Sequence, residues 1–476
     1  MIHSAALRGV RGHVVHIHVS QQGHLPTLRI TGLAVAAERE TRVRVTSALA
    51  SFAHEIDATT HVACDAGGLS IDGTGLDLAI ALAVACGDAR PAIGALAELS
   101  LNGDLRPVRG VLPAVEELRE HVRVVIVAPE NAAEAALVDG VRIVVARRLS
   151  DAIDFASGRT SGVEDALRKQ PPRAPPRLDL HDIKGAASAR RAIEIAAAGG
   201  HHVLLLGGPG AGKTMFARRL PGILPPLTHS EQLEVTRVHS SAGLNIGGGL
   251  ITARPFRAPH HSTTPPGLIG GGASVPRPGE VSLAHRGVLF LDDLPEFPRA
   301  ALEVLCEPIE TGEVVLSRAS GTLRFPARCT LFGTMSACPC GRFPAPQCRC
   351  GAPDRARHIG RVHPRLLALF DVRVSLPPID VLTLDSQPAG ESSTTVSARV
   401  AEARAFAVAE RTTGSVVMSG PARSLLARAV ESSLLPSRHA HDRVGRVART
   451  IANLAQQRIV SDAHVAEATE LGRDPF

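Results

Sequence analysis

The run Gly207-Gly208-Pro209-Gly210-Ala211-Gly212-Lys213-Thr214 has the spacing G-x-x-x-x-G-K-T. Those residue types suit one chemistry. Glycines let main-chain N–H groups close around a triphosphate, Lys213 reaches the outer phosphates, and the Thr214 hydroxyl ligates Mg²⁺. Val288 to Asp293 is an apolar run ending in two carboxylates. An acid at the end of a buried strand holds Mg²⁺ through water, a role that falls to Asp292. Asp293 stands where an attacking water would be polarised. ATP and Mg²⁺ are the expected cofactors.

These groups need elements to position them. The apolar residues His202 to Leu206 predict a strand entering the loop. Thr214 to Leu220 predicts a helix whose positive N-terminal end faces the phosphates. Strand, loop and helix in that order distinguish a phosphate cradle from a glycine turn, even in a chain with 44 Gly.

A second constellation is Cys338, Cys340, Cys348 and Cys350, two C-x-C pairs. Four thiolates converging in a loop would hold tetrahedral Zn²⁺, with His358 and His363 as alternate ligands. Reduced thiols or a redox-sensitive cluster is the other reading. Cys64, Cys86, Cys306 and Cys329 lie in apolar stretches and read as core.

The chain has 476 residues, 3% aromatics, no Trp and no Tyr, so its cores must rest on Leu, Val, Ile and Ala. Net charge is +6, almost all of the positive charge arginine, which permits nucleic-acid contact without requiring it. Met1 to Gly12 reads as polar and broken, with no signal sequence, and apolar runs fall short of the ~20 residues of a membrane span. The expectation is a cytoplasmic protein with no membrane contact.

Four regions follow. Residues 1–158 alternate strands (His13 to Val19, Leu28 to Thr31, Val122 to Val127, Val141 to Val145) with helices (Glu38 to Ala53, Leu76 to Cys86). Asn102-Gly103 reads as a hairpin turn. Residues 159–182, with Pro171 to Pro176, read as a Pro/Arg-rich linker. Residues 183–390 form an α/β P-loop core, and 391–476 a small helical domain.

Beyond the P-loop, the runs Gly279 to Asp292, Pro255 to Ser262 and Glu307 to Gly312 resemble the magnesium-chelatase-like AAA+ ATPases of the YifB/ComM family. The likeness extends over nearly the whole chain. It implies an AAA+ core of parallel sheet flanked by helices. It also implies an N-terminal α+β Lon-protease-like (ribosomal S5 domain 2-like) domain and a C-terminal helical lid. It further implies an ATPase that assembles as a hexameric ring, in a family that includes a DNA branch-migration motor of transformation. Thr263 to Pro278 resembles an insertion of the chelatase branch. Glu313 to Arg328 resembles a hairpin whose Arg318, Arg324 and Arg328 would meet DNA phosphates.

The resemblance also marks departures. Asp293 replaces the usual Glu, and Ser336-Ala337 replaces Asn-Pro, which leaves Ser336 as the γ-phosphate sensor. Leu369 stands where the family carries its arginine finger; Arg365, one helical turn earlier, is the substitute candidate. In the lid, Ser437-Arg438-His439-Ala440 displaces an arginine by one position, while Arg443 fits the nucleotide-contacting pattern. In the protease-like domain the nucleophile's place falls on Gly75, and no lysine precedes Lys169. Ser70 and Thr74 have nothing to activate them, so a Ser-Lys dyad is excluded. Two readings stay open: a ring motor on DNA, or a nucleotide-binding scaffold with slow, degenerate hydrolysis.

Overall fold

The computed structural model describes all residues except 24, 53, 55, 57, 69–70, 72–73, 88–91, 160–161, 169–177, 246–247, 273–274, 319–320, 344, 346, 378–387, 412–416, 432–437 and 474–476. Ser70, Lys169, the run Pro171 to Pro176 and Ser437 lie outside the described residues.

The N-terminal region is built on an eight-stranded mixed sheet. Its order is Val163–Asp165, Arg142–Ala146, Val124–Val127, Ile93–Leu96, Ile2–Arg8, Arg11–Gln22, Thr59–Asp65, Leu28–Thr31. The segment read as polar and broken is in fact a central strand. Ile2–Arg8 pairs antiparallel with Arg11–Gln22 and parallel with Ile93–Leu96. Its polar residues are satisfied inside: the Ser4 hydroxyl donates to the Ala95 carbonyl at 2.8 Å, and His3 shares a 2.9 Å hydrogen bond with His16. Buried polar groups with partners cost little, so the hydropathy pattern misleads here. Helix Asp77–Cys86 buries Leu78, Ile80 and Leu82 in this core, and helix Val35–Ala50 packs on it. Gly103 takes the positive φ that the Asn-Gly turn demands.

The sheet runs on past residue 158, because Val163–Asp165 pairs with Arg142–Ala146. Leu180 is buried in the next core and its amide donates to Ser393. The two ends of the segment read as a linker are therefore packed into structure.

The second sheet is five parallel strands in the order Phe256–Arg257, Val288–Leu291, Thr330–Met335, Val203–Leu206, Val372–Ser375. Parallel strands buried on both faces read as continuous apolar runs, which is why Val203–Leu206 and Val288–Leu291 stand out in sequence. Helices Ser393–Arg411, Gly420–Glu431, Arg438–Leu454 and Asp462–Gly472 follow. They share one hydrophobic core with the sheet, Val400, Val444 and Ile451 joining Val203 and Val372. A short parallel pair, Val417–Met418 with Ile459–Val460, ties them together.

The N-terminal region docks on this core. Arg237 grips Glu116 bidentately at 2.7 and 2.8 Å, and the Gly110 amide donates to Ser240 at 2.9 Å. The hairpin Glu313–Arg318 with Gly321–Pro326 approaches the turn at Gly9 through the Arg324 backbone. Among the described residues no helix is long and apolar enough to cross a membrane.

Candidate nucleotide site

In a parallel sheet, ligands bind beyond the carboxyl ends of the strands. Strand Val203–Leu206 ends at Gly207, and Val288–Leu291 ends at Asp292. Thr330–Met335 lies between these two strands and pairs with both. Its register sets Gly333 opposite Leu291, so Thr334 arrives beside Asp292.

The loop then turns into helix Lys213–Ile223 through Gly210 and Gly212, at φ 76° and 81°. That left-handed geometry favours glycine and turns successive N–H groups to one side. The Lys213 ammonium is held over the loop by the carbonyls of Gly207 (2.7 Å) and Gly208 (3.0 Å). Burial lowers its pKa, while Asp293 and Asp292 oppose that shift.

The acids meet the loop through hydroxyls. Thr214 Oγ1 donates to Asp292 Oδ2 at 3.1 Å, and Thr334 Oγ1 donates to Asp292 Oδ1 at 2.6 Å. The Asp293 amide donates to the same Thr334 hydroxyl at 2.9 Å. This holds Asp293 at φ 58°, a conformation Asp tolerates better than most residues. Burial, then Glu296, raises the Asp293 carboxyl above its ordinary range. Thr334, fully buried, is the site residue that sequence reading missed. Its signal lies only in strand register, which no local motif carries.

Beside the P-loop the four cysteines converge. The sulfurs of Cys338, Cys340, Cys348 and Cys350 lie within 4.8 Å of one another, with Cys338–Cys340 at 3.5 Å and Cys348 at 3.7 Å from both. Tetrahedral Zn²⁺ with sulfur at ~2.3 Å needs S–S edges of about 3.8 Å, so the donor set fits. Phe343, in the same loop, lies under the Arg355 guanidinium at 4.4 Å. The alternate histidines are elsewhere: His358 Nε2 contacts Ser336, and His363 accepts from its own helix at Arg365. Of the four remaining thiols, Cys64 and Cys306 are core, whereas Cys86 and Cys329 are only partly covered.

A magnesium chelatase ChlI family model matches residues 179–384, a second ChlI model residues 15–131, and a ChlI C-terminal model residues 390–471. An uncharacterised Mycobacterium tuberculosis protein is 40% identical over 455 residues, 92% of this chain and 90% of its own. YifB of Escherichia coli and competence protein ComM of Haemophilus influenzae are each 35% identical, over 98% of this chain and 96% of theirs. The chain belongs to the YifB/ComM magnesium-chelatase-like family.

Within that family frame, the remaining expected site residues fall in separate places. Ser336 follows strand Thr330–Met335, but its hydroxyl donates to the Cys338 carbonyl at 2.9 Å and meets His358 at 3.1 Å. Arg365, on helix Pro364–Leu369, is exposed and pairs with Glu310 through Nε at 3.0 Å. Leu369 is partly buried against the core. Arg443 departs most from expectation. It is buried, donating to the Gly472 carbonyl at 2.9 Å and contacting Phe370. Phe370 precedes the start of Val372–Ser375, level with Val203 and so at the end of the strands away from the P-loop. Arg443 therefore joins the C-terminal helices to the core. Arg446 to Asp371 (2.9 Å) and His201 to Thr450 (2.8 Å) reinforce the same joint.

Proposed function

We propose that the chain is an ATP-binding AAA+ ATPase that assembles as a homohexameric ring and acts on DNA in the cytoplasm. The observation that carries it is the chain of hydroxyl–carboxylate bonds from Thr214 through Asp292 to Thr334, beneath Lys213. Gly207, Gly208, Pro209, Gly210, Ala211 and Gly212 would cradle the phosphates, and Thr214 with Asp292 would hold Mg²⁺. Residues 1–158 take the part of the family's Lon-protease-like domain without its protease chemistry, and 391–476 that of its lid. Cys338, Cys340, Cys348 and Cys350 hold a structural Zn²⁺. A relative named as a competence protein supports the DNA role. The hairpin's Arg324 is paired with Glu313, so a phosphate would have to displace that exposed pair.

A steady-state ATPase assay with and without single-stranded DNA tests this reading. Turnover should rise with DNA and vanish in Lys213→Ala. A second reading, a nucleotide-binding scaffold with slow hydrolysis, draws on Leu369 and on the Ser336 hydroxyl being engaged by Cys338 and His358. Tight ATP binding with turnover unmoved by DNA would favour it.

A further inference from the structure

A cavity of ≈ 370 Å³ lies at the seam between the N-terminal region and the core, and none of the P-loop residues lines it. Ala5, Leu7, Gly75 and Arg109 line it from one side, and Val275 with Arg277 from the core's insertion. Gly75 leaves room: a Cβ built there would meet only Val108, at 3.8 Å.

The charges in this cavity are unevenly matched. Arg44 is neutralised, donating to Asp77 at 2.6 and 3.3 Å, with Glu40 at 3.6 Å. Glu40 is thereby assigned to Arg44 and stands largely in solvent. Among the described residues Arg109 has no such partner. Its Nη2 has a single acceptor, the Val275 carbonyl at a long 3.3 Å. Its Nη1 is closed off from solvent with no acceptor among the described residues. A guanidinium offers five N–H donors, and leaving the two on Nη1 unmatched under burial is costly. Arg109 and Arg277 both line the cavity, and burial, then the like charge of Arg277, lower the Arg109 pKa.

We propose that this seam cavity is a binding site for a small phosphate-type dianion, clasped between Arg109 and Arg277. Two guanidiniums match a dianion in charge, and each can engage phosphate oxygens bidentately. A monovalent carboxylate would leave one positive charge unmatched. The volume sits at the low end of small-ligand pockets, so either inorganic phosphate or a phosphomonoester such as a mononucleotide fits. Because Arg109 comes from one region and Arg277 from the other, the anion ties the insertion to the N-terminal sheet.

The test uses the full chain carrying Lys213→Ala, so that the P-loop does not contribute. Calorimetric titration with inorganic phosphate in chloride buffer should give one saturable site. Adding Arg277→Ala, an exposed position whose loss leaves the fold intact, should weaken it at least tenfold. Arg109→Gln should do the same, and Arg119→Gln, an exposed arginine elsewhere, should not. AMP binding tenfold tighter than phosphate identifies a mononucleotide site; equal affinity identifies phosphate itself. No saturable uptake of either probe, or uptake undiminished in both Arg277→Ala and Arg109→Gln, overturns the proposal.

Discussion

Gly208 of the P-loop touches Gly341 of the cysteine loop: a Cβ on Gly208 would stand 2.6 Å from the Gly341 carbonyl oxygen. A Cβ on Gly341, at φ 70°, would in turn stand 2.6 Å from Cδ of Pro209. Two backbones meet where neither admits a side chain. The thiol cluster is thus a buttress for the phosphate loop.

Removing the proposed zinc should therefore weaken nucleotide binding without touching a phosphate ligand. Chelator-treated protein, or Cys348→Ser, is expected to bind ATP about tenfold less tightly, with affinity returning to the chelated parent on adding Zn²⁺. The check is ATP titration with metal content measured in parallel. Unchanged affinity in metal-free protein would break the link between the loops.

Thr334→Val keeps shape and removes the hydroxyl. Asp292 Oδ1 then loses a donor and the Asp293 amide loses its acceptor. Hydrogen bonds to charged groups contribute ~1.5–3 kcal/mol, so a tenfold or larger fall in ATP turnover is expected. The Mg²⁺ concentration for half-maximal turnover should rise too. A Mg²⁺ titration of ATPase rate separates this from general destabilisation, which would lower the rate at all Mg²⁺ concentrations alike.

What the sequence made legible follows the range of its signals. The strand, loop and helix around Gly207 to Thr214 and the strand ending before Asp292 were readable because their apolar runs and glycine spacing are local. The helices Val35–Ala50 and Asp77–Cys86 and the strand Leu28–Thr31 were readable from local periodicity. Thr334 was not, because it reaches Asp292 only through the register of two strands 42 residues apart. Strand Ile2–Arg8 was hidden because Ser4 and His3 find their partners across the sheet. The contacts of Arg443 with Phe370 and Gly472 were not legible, because a motif gives an arginine's place in the chain and not the direction its guanidinium takes.

Arg365 is exposed and pairs with Glu310. A finger acting on a neighbouring subunit would have to be exposed in this way and to exchange Glu310 for the phosphoryl group. Arg365→Ala is expected to lower turnover by 10³ or more while leaving ATP affinity within about twofold, since such fingers act on the transition state. The exposed ion pair itself contributes little to stability. Single-turnover rates beside equilibrium ATP binding make the check, and an unchanged rate would exclude Arg365 from the chemistry.

Glu134 is almost fully buried under the docking helix Val111–Leu118, accepting from the Leu112 amide at 3.0 Å. Burial raises its carboxyl from 4.5 to about 7, and Ser240 and then the Leu112 amide only partly oppose it. The folded chain therefore holds a proton between pH ~4.5 and ~7 that the unfolded chain has released. Stability falls as pH rises through that window and is level above it, by an upper bound of ~3 kcal/mol. Glu134→Gln removes the ionisation and keeps the acceptor. The variant should melt several degrees above the parent at pH 8, and the two curves should converge near pH 5. Scanning calorimetry across that range provides the measurement; a gap that does not shrink on acidification would mean that Glu134 is already neutral at pH 8 or acts through packing alone.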